Sequence, residues 1–328
     1  MSEPKSILLT GAAGFVGGHL RPALESRFPK ARRTAAVLEP STIAGWETVV
    51  CDLTDAAAAE KLVRAAAPDV VIHLAGQASA GEAAGAVAAT WRANFVASLN
   101  LAAASAEAAP QAAFLFVSSA ELYGANLADG PATEETPIAP RNVYARTKAA
   151  AEAMLADVLA PPARLIIARP FNHTGAGQDE RFVIPAFAAQ VARIESGEQP
   201  PVMAVGNLAA RIDFLDVRDV VEAYVRLVER SGEVELPAVF NIASGAPVAL
   251  QNALDKLLAM AKRPIEVRTD QARWRPLETP VASGDAAKLR RLTGWSPRIP
   301  FDDTLASVLD HYRALVSLRE RRGPAECG

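Results

Sequence analysis

The sequence predicts an α/β fold in which a doubly wound parallel sheet is covered by helices on both faces, with a smaller C-terminal lobe interleaved with it. Three observations lead there. Short continuous apolar runs recur through the first half of the chain, at residues 7–9, 35–38, 49–50, 70–74, 114–117 and 165–168, and strands without polar alternation are buried on both faces. Alanine-rich stretches of helical length lie between them, at 56–67, 86–109 and 147–159. Strand and helix in alternation build the doubly wound architecture, and 328 residues, half of them apolar, are enough to fill its core.

The first apolar run leads into "ILLTGAAGFVGG", which places Gly11, Gly14 and Gly17 between a strand and the start of a helix. Missing side chains there let the chain turn tightly and let the backbone approach a pyrophosphate, while the helix N-terminus offers amides and partial positive charge. The spacing is G-x-x-G-x-x-G, which departs from the usual dinucleotide fingerprint, so position within the α/β pattern carries the assignment. The second run ends at Glu39, where a carboxylate binds ribose hydroxyls and repels a 2'-phosphate. That favours NAD over NADP, although Arg32 and Arg33 lie close in sequence and leave NADP open.

Further along, the run 114–117 closes on "VSSAELYG", and the 147–159 helix is headed by "NVYARTKAAAEAM". Tyr144 and Lys148 are four apart and share a helix face. A neighbouring ammonium lowers a phenol's proton affinity, which makes Tyr144 a candidate general acid or base. After Pro170 the texture changes to Gly-, Pro- and polar-rich segments, "NHTGAGQDERF" and "SGEQPPVMAVGN", the mark of a second lobe. "RIDFLDVRDVVEAYVRLVE" then resumes a strand-then-helix pattern with Asp216 or Asp219 as the helix cap. The last dozen residues are charged and expected to fray.

Composition excludes several classes of function. A net charge of -3 with scattered basic residues gives no stripe for nucleic acid or an anionic membrane. No run approaches the roughly 20 apolar residues of a spanning helix, and the polar start "MSEPKS" leads straight into a strand, so a cytoplasmic protein is expected. Cys51 and Cys327 offer no disulfide framework, and His19, His73, His173 and His311 lack metal-ligand spacing; no metal is expected.

Taken in order, the glycine turn, the strand ending in Ser118-Ser119, the Tyr144/Lys148 pair and Arg169-Pro170-Phe171-Asn172 all fall at strand C-termini or the following helix start. By these motifs the chain resembles the extended short-chain dehydrogenase/reductases, the group acting on nucleotide sugars, over Lys5 to about Arg313. The resemblance implies a Rossmann-like NAD(P)-binding domain over 1–170 that also receives the segment at about 208–230, and a mainly substrate-binding lobe over 171–328. It implies a catalytic set of Ser119, Tyr144 and Lys148. Ser119 stands four residues before Tyr123 in the family's S-x-x-x-Y-G pattern, Tyr123 is then not the proton carrier, and Ser118 contacts the cofactor. It further implies Asp52 and Leu53 beside the adenine, Leu74, Ala75 and Gly76 under the cofactor, and Asn94, Phe15, Val16, Val117, Pro170 and His173 in the cofactor set.

The same resemblance implies a nucleotide-sugar substrate, with GDP favoured, and a homodimer paired through helices such as 86–109 and the one near 147. Asn172, Val183, Asn207, Arg211, Arg275 and Glu278 are its substrate-side residues, the two arginines as phosphate ligands and Glu278 for a ribose hydroxyl. Reductases, 4,6-dehydratases and 4-epimerases share the first elements, and a dehydratase additionally needs a carboxyl near C5 and C6, for which Glu121 is the candidate. The segments "RPFNHTGAGQDERFVIPAFAAQVARIE" and "VGNLAARIDFLDVRDVVEAY" are more similar to the GDP-sugar 4-ketoreductases. A dinucleotide-sensing regulator is the non-enzymatic alternative, against which the intact trio stands.

Overall fold

The structure of the protein, a computed structural model, describes residues 3–274 and 280–322. β1 (Ser6–Thr10) runs through the glycine turn into α1 (Phe15–Arg27), followed by β2 (Arg32–Val37), β3 (Glu47–Val50), α2 (Ala56–Ala66) and β4 (Val70–His73). Asp55 starts α2 by accepting from the amides of Ala57 and Ala58. The stretch 86–109, one helix by composition, is divided. α3 (Ala80–Gly85) and α4 (Val87–Trp91) meet at Ala86, whose ψ of 51° breaks the helix, and a π-helical turn at Arg92–Val96 joins α4 to α5 (Ala97–Ala108).

β5 (Ala113–Val117) is followed by a 3-10 segment, Ala120–Asp129, then α6 (Val143–Val158) and β6 (Arg164–Pro170). α6 begins four residues before its alanine-rich stretch because Asn142 caps it, accepting from the amide of Ala145. Tyr144 and Lys148 thus both lie in its first two turns.

The second half comprises β7 (Asn172–Thr174), α7 (Val183–Ser196), β8 (Val202–Val205), β9 (Arg211–Ile212), β10 (Phe214–Asp216), α8 (Val217–Glu229) and β11 (Ala238–Ile242). It continues with β12 (Val248–Ala249), α9 (Leu250–Ala259), β13 (Glu266–Thr269), β14 (Val281–Ala282), α10 (Ala287–Thr293) and α11 (Phe301–Arg322). Asp216 is the cap of α8, accepting from the Arg218 amide, whereas Asp219 turns away and accepts from the amides of Arg298 and Ile299. Of the last dozen residues, expected to fray, 317–322 continue α11 and the rest lie outside the described residues.

Seven strands pair in parallel in the order β11-β6-β5-β4-β1-β2-β3. The winding direction reverses between β1 and β4, and ligands of such sheets bind at that switch point, beyond the strand C-termini. Alternate residues of β1 face opposite helical layers: Ile7 and Leu9 pack with Leu20 and Leu24 of α1 and Val220 of α8, and Leu8 with Leu62 of α2, Leu101 of α5 and Leu155 of α6. A third core lies between α7, α9 and α11, around Phe187, Leu254, Leu257 and Val308. The segment at 208–230 supplies α8 to the sheet's face, while β10 pairs with β7 and the added seventh strand is β11. Among the described residues no helix is long and apolar enough to cross a membrane.

Candidate active site

A cleft of about 980 Å³ opens at the switch point. The glycine turn forms one wall. Gly11 has φ +69°, and a Cβ on it would meet the Ala75 amide nitrogen at 2.8 Å, while a Cβ on Gly17 would collide with the Gly11 carbonyl. The turn therefore lies flat against the segment after β4. Gly14, the N-terminal cap of α1, contributes no side-chain cap, so the first amides of α1 keep their donors for an anion. Gly76 is equally constrained, since a Cβ there would press on Asn94 Oδ1 at 2.6 Å.

Beneath the segment after β4 runs a buried relay whose directions are fixed by its ends. Ala75 N–H donates to Thr10 Oγ1 (3.2 Å), and the Ser98 hydroxyl donates to the Asn94 carbonyl (2.7 Å). Between them Thr10 O–H donates to His73 Nδ1 (2.7 Å), and His73 Nε2–H donates to Ser98 Oγ (2.9 Å). His73 stays neutral, because burial first and Lys148 second push its pKa down to about 3. Asn94 extends the relay: its Oδ1 accepts from Gln77 N (2.7 Å) and its Nδ2 donates to Thr147 Oγ1 (3.0 Å), which donates to the Tyr144 carbonyl (2.7 Å). The π-turn, the segment after β4 and α6 are thereby held in one register.

α6 forms the other wall. Tyr144 is buried, with Ser119 close enough to act on its hydroxyl, and Lys148 donates to the Val117 carbonyl (2.9 Å) over the Phe116 ring. Burial, then the Glu121 carboxylate, raises the pKa of Tyr144, against a smaller lowering by Ser119. Lys148, expected to lower the phenol, is not among the groups that shift it, and Tyr144 is a protonated donor at neutral pH. Lys148 itself is lowered to about 8 by burial, with Glu152 opposing. Glu121 accepts from Asn142 Nδ2 (3.0 Å), so the residue that caps α6 also orients the carboxylate.

A buried ion pair braces this wall from behind. Arg169 of β6 contacts Glu152 of α6 through two nitrogens (2.6 and 3.1 Å) and donates to the Tyr123 hydroxyl (3.0 Å), which donates to Asn241 Oδ1 of β11 (2.7 Å). Tyr123 is consumed by this structural bond, whereas Tyr144 faces the cleft.

Of the residues singled out by sequence, the glycine turn with Phe15 and Val16, Asp52, Leu53, the 74–76 segment, Val117, Ser118, Ser119, Glu121, Tyr144, Lys148, Pro170, Asn172 and His173 border this cleft. His173 stacks on Phe15 (6.4 Å between centroids, 9°) and donates from Nδ1 to the Phe171 carbonyl, leaving Nε2 as an acceptor. Asn94 lies behind the wall, not on it. Glu39 is exposed beside Leu38, which does line the cleft; Val183, Asn207 and Arg211 do not, Arg211 donating instead to the Pro247 carbonyl (3.1 Å). Arg275 and Glu278 lie outside the described residues. Arg32 and Arg33 pair with Ser6 and Ile7 at the opposite edge of the sheet, so neither reaches a 2'-phosphate at the strand C-termini.

Sequence reasoning missed Gln77, Ser79, Arg92, Arg181 and Tyr224, all on the cleft wall. Arg181 Nη1 bonds both carboxylate oxygens of Glu82 (2.5 and 2.6 Å), and Gln77 Nε2 also donates to Glu82 (2.8 Å), tying the loop before α7 to α3. Nothing in "GQDERF" announces a partner 99 residues away. Asn142, the cap of α6, was likewise not singled out.

The cleft's own features fit a dinucleotide: the bare glycine turn, free α1 amides, and a buried Ser118 hydroxyl with no protein partner. Among the described residues no three of His, Cys, Asp and Glu gather as a metal site requires. A parallel sheet wound on both faces, a glycine turn at its switch point and a Ser–Tyr–Lys set facing it define an extended short-chain dehydrogenase/reductase. Residues 7–243 match the NAD dependent epimerase/dehydratase family, and the chain belongs to it.

Over 320 residues the chain is 34% identical to GDP-6-deoxy-D-mannose reductase of Pseudomonas aeruginosa, covering 94% of this chain and 98% of that one. It is 28% identical to dTDP-glucose 4,6-dehydratase of Streptomyces niveus, covering 94% and 92%. A solved structure of RMD from Pseudomonas aeruginosa complexed with NADPH superposes with a TM-score of 0.79 at 33% identity, covering 94% of this chain and 99% of that chain.

Proposed function

We propose that the protein reduces the C4 ketone of a GDP-4-keto-6-deoxy-hexose to a GDP-6-deoxy-hexose, using NADH or NADPH. The reading rests above all on the state of Tyr144: a buried phenol beside Ser119, kept protonated and facing the cleft, is a donor poised for an oxygen that gains negative charge. The bound nicotinamide supplies the hydride. Tyr144 donates the proton, Ser119 holds the ketone oxygen, and Lys148 binds the cofactor's ribose. Glu121, oriented by Asn142, binds a sugar hydroxyl. Within the lobe 171–328, Asn172, Val183 and Asn207 neighbour the substrate, Arg211 and Arg275 bind its phosphates, and Glu278 binds a ribose hydroxyl.

The similarity to a GDP-6-deoxy-D-mannose reductase supports the GDP sugar. Glu39 with no arginine from β2 nearby favours NADH, although the similar RMD structure holds NADPH. The protein works as a homodimer in the cytoplasm on this reading; α5 packs on α2 and α6 within one chain, which leaves their outer faces for a partner.

A second reading, GDP-mannose 4,6-dehydratase, is favoured by one observation: Glu121 stands close enough to Tyr144 to raise its pKa, as an acid/base beside the same ring would. Purified protein incubated with GDP-mannose alone, and separately with the 4-keto-6-deoxy sugar nucleotide plus NADH or NADPH, separates the two. Reduced cofactor consumed only with the ketone is the expected result; ketone formed from GDP-mannose without added cofactor overturns it.

A further inference from the structure

One polar group in the cleft has no part in the chemistry above. Tyr224, two turns into α8, has no exposed surface, and its hydroxyl finds no hydrogen-bond partner in the protein, yet it borders the cleft. Folded proteins leave few buried hydroxyls unpaired, because the lost hydration is not returned. At a cleft wall, a ligand completes such a group.

Its place in the fold narrows the ligand. α8 packs with α1 on the glycine-turn face of the sheet, whereas α6 brings Tyr144 in from the other face. The two phenols are nonetheless close enough to interact electrostatically. Asp52 and Leu53 mark the adenine end and the glycine turn the diphosphate, so a group beside Tyr144 but on the wall of α1 belongs to the nicotinamide end. That ring carries one hydrogen-bonding substituent, its carboxamide.

We propose that Tyr224 is a cofactor-binding residue whose hydroxyl donates to the carboxamide oxygen of the nicotinamide and so fixes the ring's orientation beside Tyr144. Burial, and Tyr144 after it, raises the pKa of Tyr224, so it remains a donor throughout the working range. The inference rests on the cleft holding a nicotinamide dinucleotide and not on which sugar is reduced, so it survives or fails independently of the reductase assignment.

Tyr224→Phe removes the hydroxyl and little else. Titration calorimetry of both proteins with NADH and with ADP-ribose, which lacks the nicotinamide, reads the bond directly. The expected result is NADH affinity about three- to tenfold weaker, the loss of one neutral hydrogen bond, with ADP-ribose affinity unchanged. Without ligand the variant melts at the same temperature or higher, since an unpaired buried hydroxyl has gone. An unchanged ratio of the two affinities overturns the proposal, and so does a parallel loss for both ligands. Should the variant not fold, the wild-type protein gives the same reading: thionicotinamide dinucleotide, with sulfur for the amide oxygen, binds more weakly than NADH, and equal affinity overturns the assignment.

Discussion

Tyr144 and Lys148 set opposite demands on the same small volume. In the proposed reduction the phenol must keep its proton to give it away, and burial together with the Glu121 carboxylate raises its pKa to that end. The lysine must keep its charge, and burial erodes it to a pKa of about 8. Since a lowered lysine is fully protonated below that value and neutral above it, kcat/KM falls as pH rises through about 8, and the alkaline limb reports Lys148 and not Tyr144. A pH profile whose limb lies near 10 contradicts this. Tyr144→Phe lowers turnover by about 10²- to 10⁴-fold, the range of a lost acid, while NADH titration shows binding retained. The pair was legible from its four-residue spacing, but the direction of the phenol's shift was not, because only folding reveals that Lys148 donates to Val117 and that Glu121 faces Tyr144.

α6 acts as a rack carrying Tyr144, Lys148 and Glu152 on successive turns, and β6 holds its rear through Arg169. Both partners of that ion pair are almost fully buried, at 8% side-chain exposure each. Glu152→Gln leaves the guanidinium charged and unmatched in the interior, which costs about 3–5 kcal/mol in a denaturant titration. The same substitution removes the carboxylate that props up the pKa of Lys148, so the alkaline limb of the rate profile moves to lower pH. A variant that loses stability with its limb unmoved separates the brace from the chemistry. The helix itself was visible from its alanines. Its true start was hidden until Asn142 was placed as the cap, and the π-turn within 86–109 has no compositional mark, because contacts such as that of Asn94 with Thr147 on another helix are not local.

At the scale of the whole molecule, the parallel sheet, its winding and the edge that bears the site follow from apolar runs and a glycine turn, which are local signals. The second lobe is written in contacts between distant segments, and these leave little trace in periodicity: β11 joins the main sheet from far along the chain, and β10 pairs with β7. The bond between Arg181 and Glu82 is of this kind, joining two halves of the protein at the rim of the cleft, with side chains 49% and 39% exposed. Dissolved ions compete for both partners, so raising NaCl from about 0.05 to about 0.5 M speeds dissociation of NADH in stopped-flow fluorescence, and Glu82→Gln flattens that dependence. A doorway sealed by oily surfaces would tighten under the same treatment. On the expected outcome, how long a guest stays is decided partly by the ions in the medium, without any change to the chemistry within.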